Sequence, residues 1–208
     1  MKKTAYIILT KIPEPGYVKT RLSPMLSATT AAKIQRAMLR HLIGQCGQLR
    51  TQMDTYLVYQ GQTAAVTQQF LQNLPSWLQT FPQITGTLGE KMSTAIAICQ
   101  QQGYQHILLS GSDIPELSTT IIRRADQALT ITPTVLGPTI DGGYYLFGAR
   151  QLDVSPFLAA DISWSSASVL ATTQQLLAQN GQAVTLLPKL QDVDFAADWA
   201  TLAPLMGE

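Results

Sequence analysis

Apolar positions along the chain follow two periods. Continuous runs such as Ala5-Tyr6-Ile7-Ile8-Leu9 and Ile107-Leu108-Leu109 read as buried strands, and stretches with apolar residues three and four apart read as helices. The pattern predicts strands at residues 6–9, 55–59, 78–82, 106–110, 134–137, 144–148 and 183–187. Between them it predicts helices at 29–50, 63–71, 90–102, 119–129 and 165–180. The first helix gathers Ala31, Ile34, Met38, Leu42 and Cys46 on one face, and Ser118 is placed to cap the fourth with its hydroxyl. Alternation of strand and helix points to a three-layer α/β/α sandwich around a mainly parallel sheet. The Gly142-Gly143 pair interrupts that rhythm and predicts an antiparallel strand at 144–148, making the sheet mixed.

Composition narrows the class. The 208 residues are 46% hydrophobic and 13% charged, as in a compact globule, and no repeat or linker divides them, so one domain spanning 1–208 is expected. A formal net charge of +1 offers no broad basic face, which argues against nucleic acid as a partner. The apolar run after Met1-Lys2-Lys3 is too short for a signal peptide, and no stretch approaches a membrane span, so a cytoplasmic protein without membrane contact is expected. Cys46 and Cys99 lie in helical patterns and read as reduced core thiols.

Against that near-neutral background, three cations are concentrated directly after the first strand. Lys11, Lys19 and Arg21 surround the loop Pro13-Glu14-Pro15-Gly16, at the strand end where α/β sheets bind ligands. Asp113 ends the apolar strand 106–110 with its carboxylate free, held open by Pro115, and suits a divalent cation whose other ligands are phosphates. Asp192-Val193-Asp194 offers a second carboxylate source, both aspartates facing one way if the segment is extended. A turn or cap role remains the alternative for each aspartate. Gly89 lets an anion or a stretch of backbone approach the start of the third helix, with Lys91 two residues on. In Gly137 through Tyr145, paired glycines admit close backbone approach beside Asp141 and two tyrosines, while Trp164 is either a stacking surface or core.

These segments together resemble the DUF2064 proteins, also called radical-SAM/selenodomain-associated transferases, in the nucleotide-diphospho-sugar transferase superfamily. The resemblance implies a GT-A type fold, with nucleotide lying over the strand ends and Mg²⁺ or Mn²⁺ bridging its phosphates. It places Lys11, Pro15, Gly16, Lys19, Arg21, Gly89 and Lys91 on the nucleotide and phosphate side, and Asp113 and Asp194 on the metal. Asp141, Gly142, Gly143, Tyr144 and Trp164 fall on the acceptor side, with Lys19, Arg21 and Asp141 acting in the reaction. The N-terminal loop also looks like that of the 2-phospholactate guanylyltransferases. Two departures are Thr87 and Lys91, where relatives often carry aspartate and arginine, and a third is Phe195-Ala196-Ala197-Asp198 in place of Thr-Pro-Glu-Asp.

Two chemistries fit. In nucleotidyl transfer a small anionic acceptor attacks the α-phosphorus of a nucleoside triphosphate and releases pyrophosphate, a reaction that needs neutralising cations more than covalent help. In glycosyl transfer from a nucleotide sugar, of the kind suggested for arsenosugar synthesis, Asp141 or Asp161 would activate the acceptor hydroxyl. The cation count favours the first; the family label favours the second. A non-catalytic nucleotide-binding protein is the third reading, which retention of all three cations and both aspartates argues against.

Overall fold

The structure, a computed structural model, describes residues 2–22, 25–164 and 166–206. Among these residues seven strands form one sheet: β1 (Thr4–Lys11), β2 (Met53–Gln60), β3 (Gln79–Pro82), β4 (His106–Ser110), β5 (Thr134–Pro138), β6 (Tyr144–Arg150) and β7 (Val184–Leu186). Their order is β3-β2-β1-β4-β6-β5-β7. Every pairing is parallel except those of β6, which runs antiparallel to both β4 and β5. The expected mixed, mainly parallel sheet is therefore present, and the Gly142-Gly143 turn is where the direction reverses.

The central strands β1, β4 and β6 carry continuous apolar runs because both faces of the sheet are covered there, whereas the edge strand β3 is largely exposed. On one face Tyr6, Ile8, Leu57 and Leu108 pack under α1 (Ala28–Gln48) and α4 (Thr119–Ala128), which contribute Leu39, Leu42, Ile122 and Ala125. On the other, Ile7, Val58, Ile107 and Leu109 pack under α3 (Leu88–Gln101), α5 (Ser155–Leu158) and α6 (Val169–Gln179) through residues such as Met92, Ile96, Phe157 and Leu177. Alternate residues of β1 thus feed opposite cores, giving the three-layer sandwich. Cys46 and Cys99 are free and buried, one in each core, and burial pushes both thiols up to about 12.

A third apolar cluster joins Leu22, Ala31, Ile34 and Met38 to Val193 and Leu202. It docks the C-terminal segment, including α7 (Ala196–Leu202), against α1 and the loop that follows β1. The remaining helix, α2 (Ala64–Gln72), rests Phe70 on the first core.

All twelve expected elements occur, with boundaries moved by a few residues. The last long helix begins at Val169; Ser165, its expected start, lies outside the described residues. Helices α5 and α7 were not foreseen. Ser118 stands at the N-cap of α4 but makes no side-chain cap; the Thr119 N–H beside it is taken at 3.2 Å by Oε1 of Gln45 from α1.

The strand order reverses between β1 and β4. Chain from β1 proceeds to β2 and β3 on one side, and everything from β4 onward lies on the other, so a crevice opens beyond the carboxyl ends of these two strands.

Candidate active site over the ends of β1 and β4

That crevice is a cleft of about 660 Å³, within the range of sites for small ligands. The loop after β1 is fixed from beneath. Glu14 is buried, and its Oε1 accepts the backbone N–H groups of Gln62 and Thr63, tying the loop to the end of β2. Gly16 takes a φ of +78°, as a tight turn requires, whereas Lys19 is a non-glycine residue at φ +50°.

Lys19 is held there by what its ammonium reaches. It donates to Asp113 Oδ2 at 2.7 Å and to the Val193 carbonyl, and lies 3.7 Å from Asp194 Oδ1, with its side chain only 6% exposed. Arg21 donates to Asp194 Oδ2 at 2.5 Å from a largely exposed position. The two aspartates therefore converge on one cation, and that cation belongs to the protein.

Asp113 is positioned by β4 and by the C-terminal segment together. Its carbonyl accepts the Val193 N–H at 3.0 Å, burying Val193 and turning Asp192 and Asp194 into the cleft on either side. Desolvation works to raise the Asp113 carboxyl, and the Lys19 ammonium outweighs it, holding the group below the usual carboxylate range. Asp192 goes the other way: desolvation, then the charges of Asp141 and Asp194, push it up to about 6. Asp198 secures the segment, its Oδ2 accepting the N–H groups of Asp194 and Phe195 at 3.1 and 2.7 Å.

Across the cleft, Lys11 lies 4.9 Å above the ring of Tyr17, and Lys91 donates to Gln60 Oε1 at 3.0 Å. Gln83 is anchored through Nε2 to the carbonyls of Thr10 and Val58, at 2.9 and 3.1 Å. Asp141 uses Oδ1 to hold its own turn, accepting from the Thr139 hydroxyl and the Gly143 N–H. Tyr144 meets Trp164 edge to face at 6.2 Å between centroids.

The structure thus brings Lys11, Lys19, Arg21, Lys91, Asp113, Asp141, Gly143, Tyr144, Trp164 and Asp194 around one cleft. Pro15, Gly16, Gly89 and Gly142 are not in its lining, and Asp161 is exposed outside it. Gly89 admits backbone, not an anion: a Cβ there would stand 1.7 Å from the Leu158 carbonyl oxygen. Gly142, at φ +91°, similarly admits the Ala167 carbonyl. Tyr17, Gln35, Gln60 and Gln83 also line the cleft and carried no signal in the sequence, whereas Asp192, offered there with Asp194 as a carboxylate source, lines it too.

Mg²⁺ and Mn²⁺ take oxygen ligands, and one or two carboxylates suffice when phosphates supply the rest. Among the described residues no three or more Asp, Glu, His or Cys side chains gather as a metal cage. The pair Asp113 and Asp194, already drawn to one ammonium, is the donor set that fits such an ion.

A family model described as "Uncharacterized protein conserved in bacteria (DUF2064)" matches residues 43–166. The chain is 30% identical to a candidate nucleotide-diphospho-sugar transferase from Desulfovibrio desulfuricans, over 94% of this chain and 84% of that one, with a TM-score of 0.87. The fold is also that of a CMP:2-keto-3-deoxy-manno-octonic acid synthetase solved with CTP, at TM-score 0.62 and 10% identity over 99% of both chains. A Mycobacterium tuberculosis protein solved with manganese shares it at TM-score 0.58 and 14% identity, over 97% of this chain and 98% of that one. No curated protein matches the sequence. Among the described residues no helix is long and apolar enough to cross a membrane.

Proposed function

The chain belongs to the DUF2064 family, and we propose that it is a divalent-cation-dependent transferase acting on a nucleotide, moving the nucleotidyl group of a nucleoside triphosphate to a small anionic acceptor. The observation that carries this reading is the pairing, across one cleft, of four cationic side chains with two convergent carboxylates. Lys11, Arg21 and Lys91 line the space a triphosphate would fill, and Lys19 draws Asp113 and Asp194 to a common point that its ammonium would cede to a metal. Asp113 and Asp194 would hold the metal, which when bound supplies charge neutralisation at the phosphates.

An acceptor phosphate or carboxylate oxygen then forms the new bond to the α-phosphorus as the bond to the bridging oxygen breaks, and pyrophosphate leaves with the negative charge. Because the acceptor is already anionic, no base has to remove its proton. The work of the protein is placement of the two reactants and neutralisation of the leaving group by Lys11, Arg21 and Lys91. Asp141, fixed by Thr139 and Gly143, and Tyr144 on Trp164 give the acceptor side a rigid floor.

Glycosyl transfer is the second reading, favoured by the Desulfovibrio relative. There Oδ2 of Asp141, which accepts no hydrogen bond among the described residues, would take the proton from an acceptor hydroxyl. A thermal-shift screen with Mg²⁺ separates the two. Selective stabilisation by one nucleoside triphosphate, followed by pyrophosphate release with an anionic acceptor, supports the first; selective stabilisation by a nucleotide sugar replaces it with the second.

A further inference from the structure

One glutamine breaks the apolar face of α1. Gln35 is 4% exposed between Ala31, Ile34, Met38 and Leu39, and buried polar side chains of this kind need partners. Its Nε2 donates to Ser112 Oγ at 2.7 Å and stands 3.4 Å from Thr10 Oγ1, while Thr10 and Ser112 hydroxyls are 3.0 Å apart. Ser112 Oγ in turn donates to Asp113 Oδ1 at 3.1 Å. This chain links α1 to the ends of both switch-point strands and ends on the carboxylate that faces Lys19.

The direction of the hydrogen bonds follows from counting. Ser112 has one hydrogen and two lone pairs. Ionised Asp113 can only accept, so the Ser112 hydrogen points to it and one lone pair receives Gln35, the other being open to the Thr10 hydrogen that the Lys11 carbonyl at 3.2 Å also attracts. Gln35 is the partner with hydrogens only on the nitrogen it presents, so it prevents the hydroxyl from turning back towards α1. We propose that Gln35 is a positioning residue that, through Ser112, fixes the rotation of the Asp113 carboxylate so that Oδ2 stays aimed at the cation between Asp113 and Asp194. The metal-binding arm of the following test rests on the function proposed above; the lysine arm does not.

Gln35→Met keeps the length and packing of the side chain and removes the donor. Ser112→Ala cuts the same chain at its other link. Each variant, with a urea midpoint and circular dichroism confirming the fold, is titrated with Mn²⁺ by electron paramagnetic resonance. Acetylation of Lys19 by an N-hydroxysuccinimide ester is followed by peptide mass spectrometry against exposed Lys33 as internal reference. Each single variant is expected to weaken Mn²⁺ about 5-fold and to speed Lys19 labelling several-fold, and the double variant to go no further, because one path has been cut twice. Additive losses in the double variant, or Gln35→Met behaving as wild type, would overturn the proposal. If wild type binds no Mn²⁺ at all, the metal reading falls, and the labelling ratios still decide for or against Gln35. Should Gln35→Met fail to fold, Gln35→Glu supplies the comparison: its carboxylate accepts the Ser112 hydrogen, so Lys19 labelling must rise at least as far as in Ser112→Ala.

Discussion

Replacing Lys19 by methionine removes a charge from the centre of the site with little change of volume. The ammonium is 6% exposed and makes a 2.7 Å ion pair with Asp113, a hydrogen bond to the Val193 carbonyl and a 3.7 Å contact with Asp194. Truncating one partner of a fully buried pair costs about 3–5 kcal/mol. Here the partners keep solvent access, with Asp113 41% and Asp194 27% exposed, so both rehydrate in part. The loss is therefore about 2–3 kcal/mol, nearer the value of hydrogen bonds to charged groups. In a chain of this size it lowers Tm by about 4–12 °C at neutral pH.

The pH dependence has a definite sign. Asp113 has a lowered folded pKa, so the stability drawn from Lys19 is complete above the unfolded aspartate value near 3.9 and is lost as pH falls through the folded one. Urea unfolding of both proteins at pH 7 measures the gap, and a repeat below pH 4 should find it narrowing. Added Mg²⁺ should restore more stability to Lys19→Met than to wild type, because the carboxylates no longer have a competing ammonium. A loss under about 0.5 kcal/mol at pH 7, the size of an exposed pair, would refute the buried-pair reasoning.

Asp192 carries the opposite sign. Its folded pKa is raised to about 6, so its ionisation opposes folding as pH rises from about 4 to 6 and fully above that. Asp192→Asn should therefore gain about 1 kcal/mol at pH 7.5, after allowance for solvent screening, and nothing near pH 4. Equal gains at the two pH values in urea unfolding would contradict the raised Asp192 pKa that desolvation, with the charges of Asp141 and Asp194, produces. Gly89→Ala forces its Cβ onto the Leu158 carbonyl oxygen, which stands 1.7 Å from that position, and onto Trp164 at 3.0 Å. Overpacking against backbone should cost about 1–3 kcal/mol and blunt Trp164 fluorescence changes on nucleotide binding; unchanged stability would show that α5 is free to retreat.

The elements with long periodic signals were legible. Strand β4 could be read from Ile107-Leu108-Leu109 because burial on both faces leaves no alternation to blur it, and β6 could be read as antiparallel from Gly142-Gly143. Four-residue α5 and seven-residue α7 were not, since helices that short carry less than two full turns of pattern. The cleft was legible in its charges, Lys11 to Arg21 and Asp113, because charged residues at strand ends have few structural reasons to be there. Their pairing was not. Lys19 and Asp113 are 94 residues apart, and no local signal says that an ammonium written beside a presumed phosphate site points instead into the carboxylates. Gln35 was equally hidden, one of many glutamines on helices, and only its burial against Thr10 and Ser112 distinguishes it. Gly89 had a readable need for close approach, but what approaches, the α5 backbone, belongs to an element the pattern did not reveal.

The claim that the cleft binds a nucleotide through a cation on Asp113 and Asp194 meets its most direct test in isothermal titration. The triphosphate selected by thermal shift is titrated, with Mn²⁺ and with EDTA, into wild type, Asp113→Asn and Asp194→Asn. Wild type should bind at least about ten-fold tighter with Mn²⁺ than with EDTA, and both variants should lose that advantage. Equal affinity in all three proteins, with or without the metal, would contradict it.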